Sequence, residues 1–318
     1  MSPPRAPVAV VVVSWNSEPY LPGCLGSLRD LVRPAAEIVV VDNASSDGSV
    51  DLVRRGFPEV DLVEAGANVG FCRANNLGIA RTASPFVLVL NPDTRLDPRF
   101  LEELLPAFER PEVGMAAGKL LRFDGATIDS AGQLLARSRQ PRDRGYGRPD
   151  DGTYDRDAEV FGACGAAALY RRSMLRAVAD GEGRVFDEAF FAFYEDLDVA
   201  WRARRLGWKA VYRHRAVGYH ARGGSARGSG PPGGRAGLRA RDPAIRFHIV
   251  KNRYLTILRN DTPRAYLRDL PFILARDVAT AALLTVMSPG VLVRLWRERG
   301  LFSRALRARR REGLRTPP

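Results

Sequence analysis

Residues 1–120 alternate short apolar runs with amphipathic segments. Val8–Ser14, Glu37–Asp42, Asp61–Glu64 and Phe86–Leu90 are short, mostly β-branched and nearly continuous in their hydrophobicity. Between them, Tyr20–Leu31, Ser49–Arg54 and Ala74–Thr82 suit helices. Apolar strands separated by helices predict a parallel sheet covered on both faces, since each crossover helix packs on the sheet and leaves its strands no wet face. Ligands of such sheets sit beyond the carboxyl ends of the strands. Three of the runs end there in polar residues: Ser14-Trp15-Asn16, Asp42-Asn43 and Asn91-Pro92-Asp93.

Further along, Ser46-Asp47-Gly48-Ser49 reads as a turn that caps the next helix, and Asp97-Pro98 opens a helix running to Glu109. Residues 121–158 lack periodicity and predict an irregular insertion or hairpin. Phe161–Tyr170 reads as a strand and Glu195–Leu206 as a helix with a charged face. Ala221–Arg241 is Gly, Pro and Arg-rich, too poor in apolar surface to order itself, and is expected to be a mobile loop that closes over a ligand. Ala244–Arg259 and Tyr266–Val293 read as helices, followed by an arginine-rich tail. The division expected is an α/β domain over 1–220, a flexible loop over 221–243 and a helical extension with a basic amphipathic tail over 244–318.

Composition adds four constraints. The 318 residues carry a net charge of +13, so an anionic partner is expected: nucleic acid, an acidic membrane surface or a phosphorylated substrate. Cys24, Cys72 and Cys164 are scattered, odd in number and without a CxxC spacing, which speaks against a zinc site or a disulfide framework and fits a reducing cytosol. The start lacks the apolar core of a signal peptide. Leu270–Val293 is interrupted by Arg276 and Asp277 and broken by Pro271 and Pro289, so an interfacial or packed helix is expected there rather than a span.

The polar clusters each admit two readings. Asp42, in Val41-Asp42-Asn43-Ala44-Ser45-Ser46-Asp47-Gly48, suits a base or ribose contact, or a turn capping a helix. Asn68-Val69-Gly70-Phe71-Cys72-Arg73-Ala74-Asn75-Asn76 suits a phosphate approached by a tight backbone with Arg73 near a helix start, or a plain loop-to-helix junction. Asp93 suits a hard divalent cation whose shell a diphosphate completes, or a type I turn. Glu195, Asp196 and Asp198 follow an aromatic run; one of them suits a general base with a raised pKa, or all three complement a helix dipole. His220 stands where the Gly-rich segment begins and suits a metal or phosphate contact, or a structural role.

Taken in order, Ser14-Trp15-Asn16, Asp42 through Ser49, Asn68-Val69-Gly70-Phe71, Asn91-Pro92-Asp93 and Phe190-Phe191 through Asp198 resemble the glycosyltransferase family 2 pattern, within it the bacterial rhamnosyltransferase-like subgroup, over residues 8–225. The resemblance implies a GT-A fold, Rossmann-like with a mostly parallel central sheet. It implies an inverting transfer from a nucleotide-diphosphate sugar, dTDP-rhamnose or a UDP-sugar, to a glycan or lipid-linked acceptor. Donor contacts would come from Ser14, Trp15, Asn16, Glu18, Asp42, Asn68, Gly70, Phe71, Arg73, Asn75 and Asn91. Asp93 and His220 would hold Mg²⁺ or Mn²⁺; Asn91 departs from a strict Asp-x-Asp, leaving one strong metal carboxylate. Asp196 would be the general base, with Glu195 supporting it.

Two other classes compete. A metal-dependent sugar nucleotidyltransferase would use a Gly-rich loop after the first strand, and Ser14 to Pro19 contains no glycine. A nucleic-acid binder would gather its basic residues in one groove, whereas many lie in Ala221–Arg241 and after Arg294, so no nucleic-acid partner is expected. A catalytically dead relative is disfavoured by the presence of Asp42, Asp93 and Asp196. After Pro289, nine arginines stand against two glutamates with Leu292, Leu295, Trp296, Leu301, Phe302 and Leu306 interleaved. That pattern predicts a peripheral helix on the inner, anionic face of the cell membrane.

Overall fold

The computed structural model describes residues 5–222 and 238–312. The strands are β1 (Ala6–Ser14), β2 (Ala35–Asp42), β3 (Asp61–Glu64), β4 (Phe86–Leu90), β5 (Thr94–Leu96), β6 (Val113–Leu121), β7 (Ile128–Ser130), β8 (Gln133–Leu135), β9 (Pro141–Asp143), β10 (Ala158–Val160), β11 (Ala167–Arg171) and β12 (Lys209–His220). The helices are α1 (Leu21–Arg29), α2 (Ser49–Gly56), α3 (Phe71–Ala80), α4 (Phe100–Leu104), α5 (Arg172–Val178), α6 (Glu195–Arg205), α7 (Pro243–Asn260), α8 (Pro263–Arg268), α9 (Leu270–Met287), α10 (Pro289–Arg297) and α11 (Gly300–Glu312).

One mixed sheet organises the chain in the order β10-β12-β6-β11-β4-β1-β2-β3. Its amino-terminal half, β4-β1-β2-β3, is wholly parallel. Val8, Ala9, Val10, Val11 and Val12 are fully buried, which is why this strand reads as an unbroken apolar run. β11 runs antiparallel between β4 and β6, and β12 runs parallel to β6. The pairing of β5 with β12 sets Thr94 opposite His220 and so brings Asp93 beside that histidine.

The structure revises several boundaries. The helix expected from Asp97 to Glu109 is α4 followed by a 3₁₀ turn, Leu105–Glu109. Phe161–Tyr170 forms a strand only from Ala167; the stretch before it is irregular. The region 121–158 holds a short hairpin, β8–β9. β6 escaped the hydrophobic pattern because Gly114, Ala116, Ala117 and Gly118 lower its strand signature. Those glycines are required by packing: a Cβ on Gly118 would lie 2.4 Å from the Ala216 carbonyl oxygen and 2.5 Å from the Phe100 ring.

The single helix expected over Tyr266–Val293 is three, broken at Asp269 and Ser288, each one or two residues ahead of a proline. α9 is long and apolar enough to cross a membrane by length and composition, with a mean hydropathy of 1.6, and only 11% of it is buried. It is therefore not the tightly packed alternative. α11 is not a free tail either: Leu301, Phe302 and Ala305 pack into the core against α7, and Leu292 and Leu295 pack beside Phe247 and Val250. The apolar face expected to meet a membrane is largely used inside the molecule, leaving Val293, Trp296 and Leu306 exposed. Most of the predicted loop, residues 223–237, and residues 313–318 lie outside the described residues.

Candidate active site

The carboxyl ends of β1, β2 and β4 meet the start of α3, the loop before α6 and the end of β12. Six of the seven non-glycine residues with positive φ among the described residues are here: Asn16, Ala44, Phe191, Phe193, Tyr194 and Arg222. Such backbone persists only where its surroundings hold it.

After β1, the side-chain oxygen of Asn16 accepts from the Ser46 N–H (2.7 Å), and the Asn16 N–H donates to the Ser45 hydroxyl (2.9 Å). Trp15 is 40% exposed at this mouth, and Ser14 is buried. Asp42 is buried, and both its oxygens accept from Ser45, one from the hydroxyl (2.6 Å) and one from the N–H (2.9 Å). It is thus a turn-former in this structure, with lone pairs left for a further donor. Glu18 accepts from the Gly48 N–H (2.8 Å) and so sits at the start of α2. Asn43, which sequence reasoning left out of the site, exchanges bonds with the next loop: it donates to Asn68 (3.0 Å) and accepts from the Val69 N–H (2.8 Å).

At the start of α3, Gly70 has φ +84°, and a Cβ there would lie 2.5 Å from the Phe191 ring. The glycine thus serves both a left-handed turn and a close approach. Phe71 is half-buried, Arg73 is exposed in the first turn, and Asn75 is fully buried, donating to the Phe71 carbonyl (2.9 Å). The structure does not bring Asn75 to the open mouth. Phe191 in turn stacks on His248 (centroids 4.9 Å apart) and accepts from the Cys72 N–H through its carbonyl (3.0 Å).

Asp93 and His220 do come together. His220 Nε2 lies 3.3 Å from an Asp93 oxygen, and His220 Nδ1 lies 2.8 Å from Asp129. Asp129 is fully buried and also pairs with Arg222, which bonds Asp143 as well (2.5 Å). Burial pulls His220 down, but its bonds to Asp129 and Asp93 push its pKa up to about 9. The donor set fits a hard divalent cation: a carboxylate, a ring nitrogen facing it, and a second carboxylate fixing the other ring nitrogen. Among the described residues no group of three or more His, Cys, Asp or Glu side chains is placed to hold a metal, so other oxygens would have to complete the shell. Asp129, Asp143 and Arg222 lie in segments with no periodicity, and no sequence signal marks them.

The acids of α6 are separated by the fold. Asp198 is buried and bonded to Arg202 (2.8 Å), Arg259 (3.4 Å) and Asn260 (2.7 Å), a structural knot. Burial works against its charged form, yet these partners hold its carboxyl below the ordinary range. Asp196 is half-buried; one oxygen accepts from Gln133 (3.0 Å) and the Gly165 N–H (3.0 Å), the other from the Leu197 N–H (2.7 Å). Burial raises its pKa. Glu195 is raised as well, by burial and then by the charge of Asp196, and its Oε2 is buried without a hydrogen-bond partner among the described residues. Ala166, next to Gly165, accepts the Asn91 N–H through its carbonyl (2.9 Å). One short stretch of backbone therefore holds both Asp196 and the end of β4 that leads into Asp93.

This is a carboxylate site at the strand ends of a mixed α/β sheet whose amino-terminal half is parallel. Residues 9–179, just over half the chain, match the model of glycosyl transferase family 2, and the chain belongs to that family. It is 31% identical over 229 residues to the N-acetylglucosaminyl-diphospho-decaprenol L-rhamnosyltransferase of Mycobacterium tuberculosis strain CDC 1551 / Oshkosh, covering 64% of this chain and 72% of that protein. It is 24% identical over 206 residues to the low-salt glycan biosynthesis hexosyltransferase Agl10 of Haloferax volcanii, covering 62% of each. Among solved structures, Staphylococcus aureus TarS 1-349 superimposes with TM-score 0.58 at 16% identity, over 94% of this chain and 80% of that one. The Pyrobaculum calidifontis mannosyltransferase PcManGT, in complex with GDP-Man and Mn²⁺, gives 0.54 at 19% identity, over 98% and 87%. The fold is that of the GT-A glycosyltransferases, and the chain is a glycosyltransferase acting with nucleotide-sugar donors.

Proposed function

We propose that this protein transfers a hexose, rhamnose in the first instance, from a nucleotide-diphosphate donor to a hydroxyl of a lipid-linked glycan precursor, with inversion at the anomeric carbon. The observation that carries the reading is the shared tether of Asp196 and the β4 end on the Gly165-Ala166 backbone. The same stretch of backbone braces a carboxylate of raised pKa and the β4 end that leads into the Asp93–His220 pair, which supports the reading. Trp15 offers an exposed ring for stacking on the base, and Ser14, Asn16, Glu18, Asp42, Asn68, Gly70, Phe71, Arg73 and Asn91 would line or brace the donor pocket, with Asn75 acting only through its bond to the Phe71 carbonyl. Asp93 and His220 would hold Mg²⁺ or Mn²⁺; bound there, the cation would offset charge developing on the diphosphate leaving group.

Asp196 takes the proton of the acceptor hydroxyl as that oxygen attacks the anomeric carbon from the face opposite the diphosphate. The bond to the nucleoside diphosphate breaks in the same displacement. Burial and the charge of Asp196 raise the pKa of Glu195, which disfavours a second buried negative charge beside the base. The rhamnosyltransferase relative supports rhamnose and a lipid-linked acceptor, and PcManGT's complex supports a divalent metal. The proposed acceptor class and the basic, apolar surface of α9–α11 support a cytoplasmic placement against the membrane.

The deciding experiment replaces Asp196 by Asn. Transfer to the acceptor should fall by at least about a hundredfold, the scale of general-base catalysis, while nucleotide binding measured by calorimetry stays within twofold or so of the parent. A variant with full transfer activity removes Asp196 from this role.

A further inference from the structure

Between α7, α8, α10 and α11 lies a cavity of about 630 Å³, within the roughly 300–1,000 Å³ of small-molecule pockets. Its wall is aromatic and aliphatic: Tyr254, Ile257 and Leu258 from α7, Leu295 from α10 and Phe302 from α11. Two polar groups in that wall are engaged, Asp261 by Arg139 (2.6 Å) and Thr262 by the Ala265 N–H (3.2 Å), which it caps. The other charged residue of the lining is Arg309, which donates to the Leu258 carbonyl at its edge (3.4 Å).

Residues 223–237 are Gly, Ser, Ala, Arg and Pro only, and residues 313–318 contain one large apolar side chain, Leu314. Apolar surface continues outward. Nine of the fifteen exposed large hydrophobic side chains among the described residues lie between Leu267 and Leu306. In the same helices, residues 263–312, eleven arginines stand against four acids. An apolar cavity opening among exposed apolar side chains and cationic charge is complementary to a molecule with a hydrocarbon chain and an anionic head.

The same helix that walls the cavity also serves the active site. Asn252 of α7 donates to the carbonyls of Phe190, Ala192 and Phe193, just before Asp196. Ile257 is five residues further on, about 8 Å along the axis at 1.5 Å per residue. A chain seated there would lie on the helix that braces the loop before Asp196, which favours the acceptor over bulk phospholipid.

We propose that this cavity holds part of the isoprenoid chain of a polyprenyl-phosphate-linked acceptor, with Arg309 on the phosphate side. The assignment rests on the reading above that the acceptor is lipid-linked. The test uses the full chain and farnesyl monophosphate as probe, with palmitate and inorganic phosphate as controls, and two variants. Leu295→Trp fills the cavity, and Leu267→Glu puts a charge at its mouth on a side chain that is 65% exposed and so places no burden on folding.

The expected result is saturable farnesyl monophosphate binding, tighter than palmitate and not displaced by inorganic phosphate, that weakens about tenfold or more in Leu267→Glu. Leu295→Trp should do the same if its melting temperature is unchanged. Transfer to a water-soluble acceptor should be untouched, and transfer to a polyprenyl acceptor should suffer in KM. Palmitate binding as tightly as the probe, or Leu267→Glu binding the probe like the parent, overturns the assignment. So does a concentration-dependent dimer abolished by Leu267→Glu, which gives the cavity to a second copy. In those cases retained transfer to polyprenyl acceptors leaves the glycosyltransferase reading intact, whereas intact probe binding with transfer only to non-lipid acceptors refutes the lipid-linked reading instead.

Discussion

Replacing Asn252 by alanine tests whether α7 holds the loop that presents Asp196. The Asn252 side chain is fully buried, and its amide nitrogen donates to three carbonyls: Phe190 (2.9 Å), Ala192 (2.7 Å) and Phe193 (2.7 Å). That loop carries positive φ at Phe191, Phe193 and Tyr194, an unfavourable backbone for three non-glycine residues. Phe190 also accepts from the Ala192 N–H (2.8 Å), so its carbonyl loses only part of its bonding. Leaving the other two without the amide at about 1–3 kcal/mol each predicts a loss of roughly 2–6 kcal/mol in unfolding free energy. Relaxation of the loop should also move Asp196 away from Gln133 and Gly165, so kcat should fall while donor affinity holds. Urea denaturation gives the first quantity, and steady-state kinetics with calorimetry gives the others. Asn252→Asp should be at least as damaging, because it turns a donor into an acceptor facing three acceptors. A loss under about 1 kcal/mol with an unchanged kcat, for a network of buried bonds of this kind, would refute the clamp.

Gln133→Leu removes a donor that favours the charged form of Asp196; the Asp196 pKa should then rise and the acid limb of the kcat profile should move to higher pH, and an unmoved limb would separate Gln133 from the base. Asp93→Ala should abolish the Mn²⁺ or Mg²⁺ requirement together with tight donor binding, and a parent enzyme that keeps its rate in EDTA would remove the metal from Asp93 and His220. Replacing the exposed Arg297, Arg299, Arg304 and Arg307 by Gln should weaken binding to anionic vesicles by about 1 kcal/mol per residue, less in high salt; equal cosedimentation of parent and variant would deny the basic helices a part in docking.

What the sequence determined by itself was the part of the molecule governed by local rules. The valine runs of β1 and β2 are buried on both faces, so their apolar continuity announced a parallel sheet, and the polar residues closing β1, β2 and β4 marked that edge as the candidate site. The order of those short motifs was enough to place the family. The tertiary structure decided everything that depends on residues distant in sequence. Asp129 fixes His220 from 91 positions away, Gln133 reaches Asp196 across 63, and Asn252 clamps a loop 59 to 62 residues before it. None of these contacts has a period or a spacing, because each is set by how strands and helices are brought together. The structure likewise split the three acids of α6, assigning Asp198 to a buried ion-pair knot while leaving Asp196 at the site. It also turned the apolar face of the C-terminal arginine-rich helix onto α7, since a hydrophobic stripe buries itself against whichever apolar surface the fold brings near it.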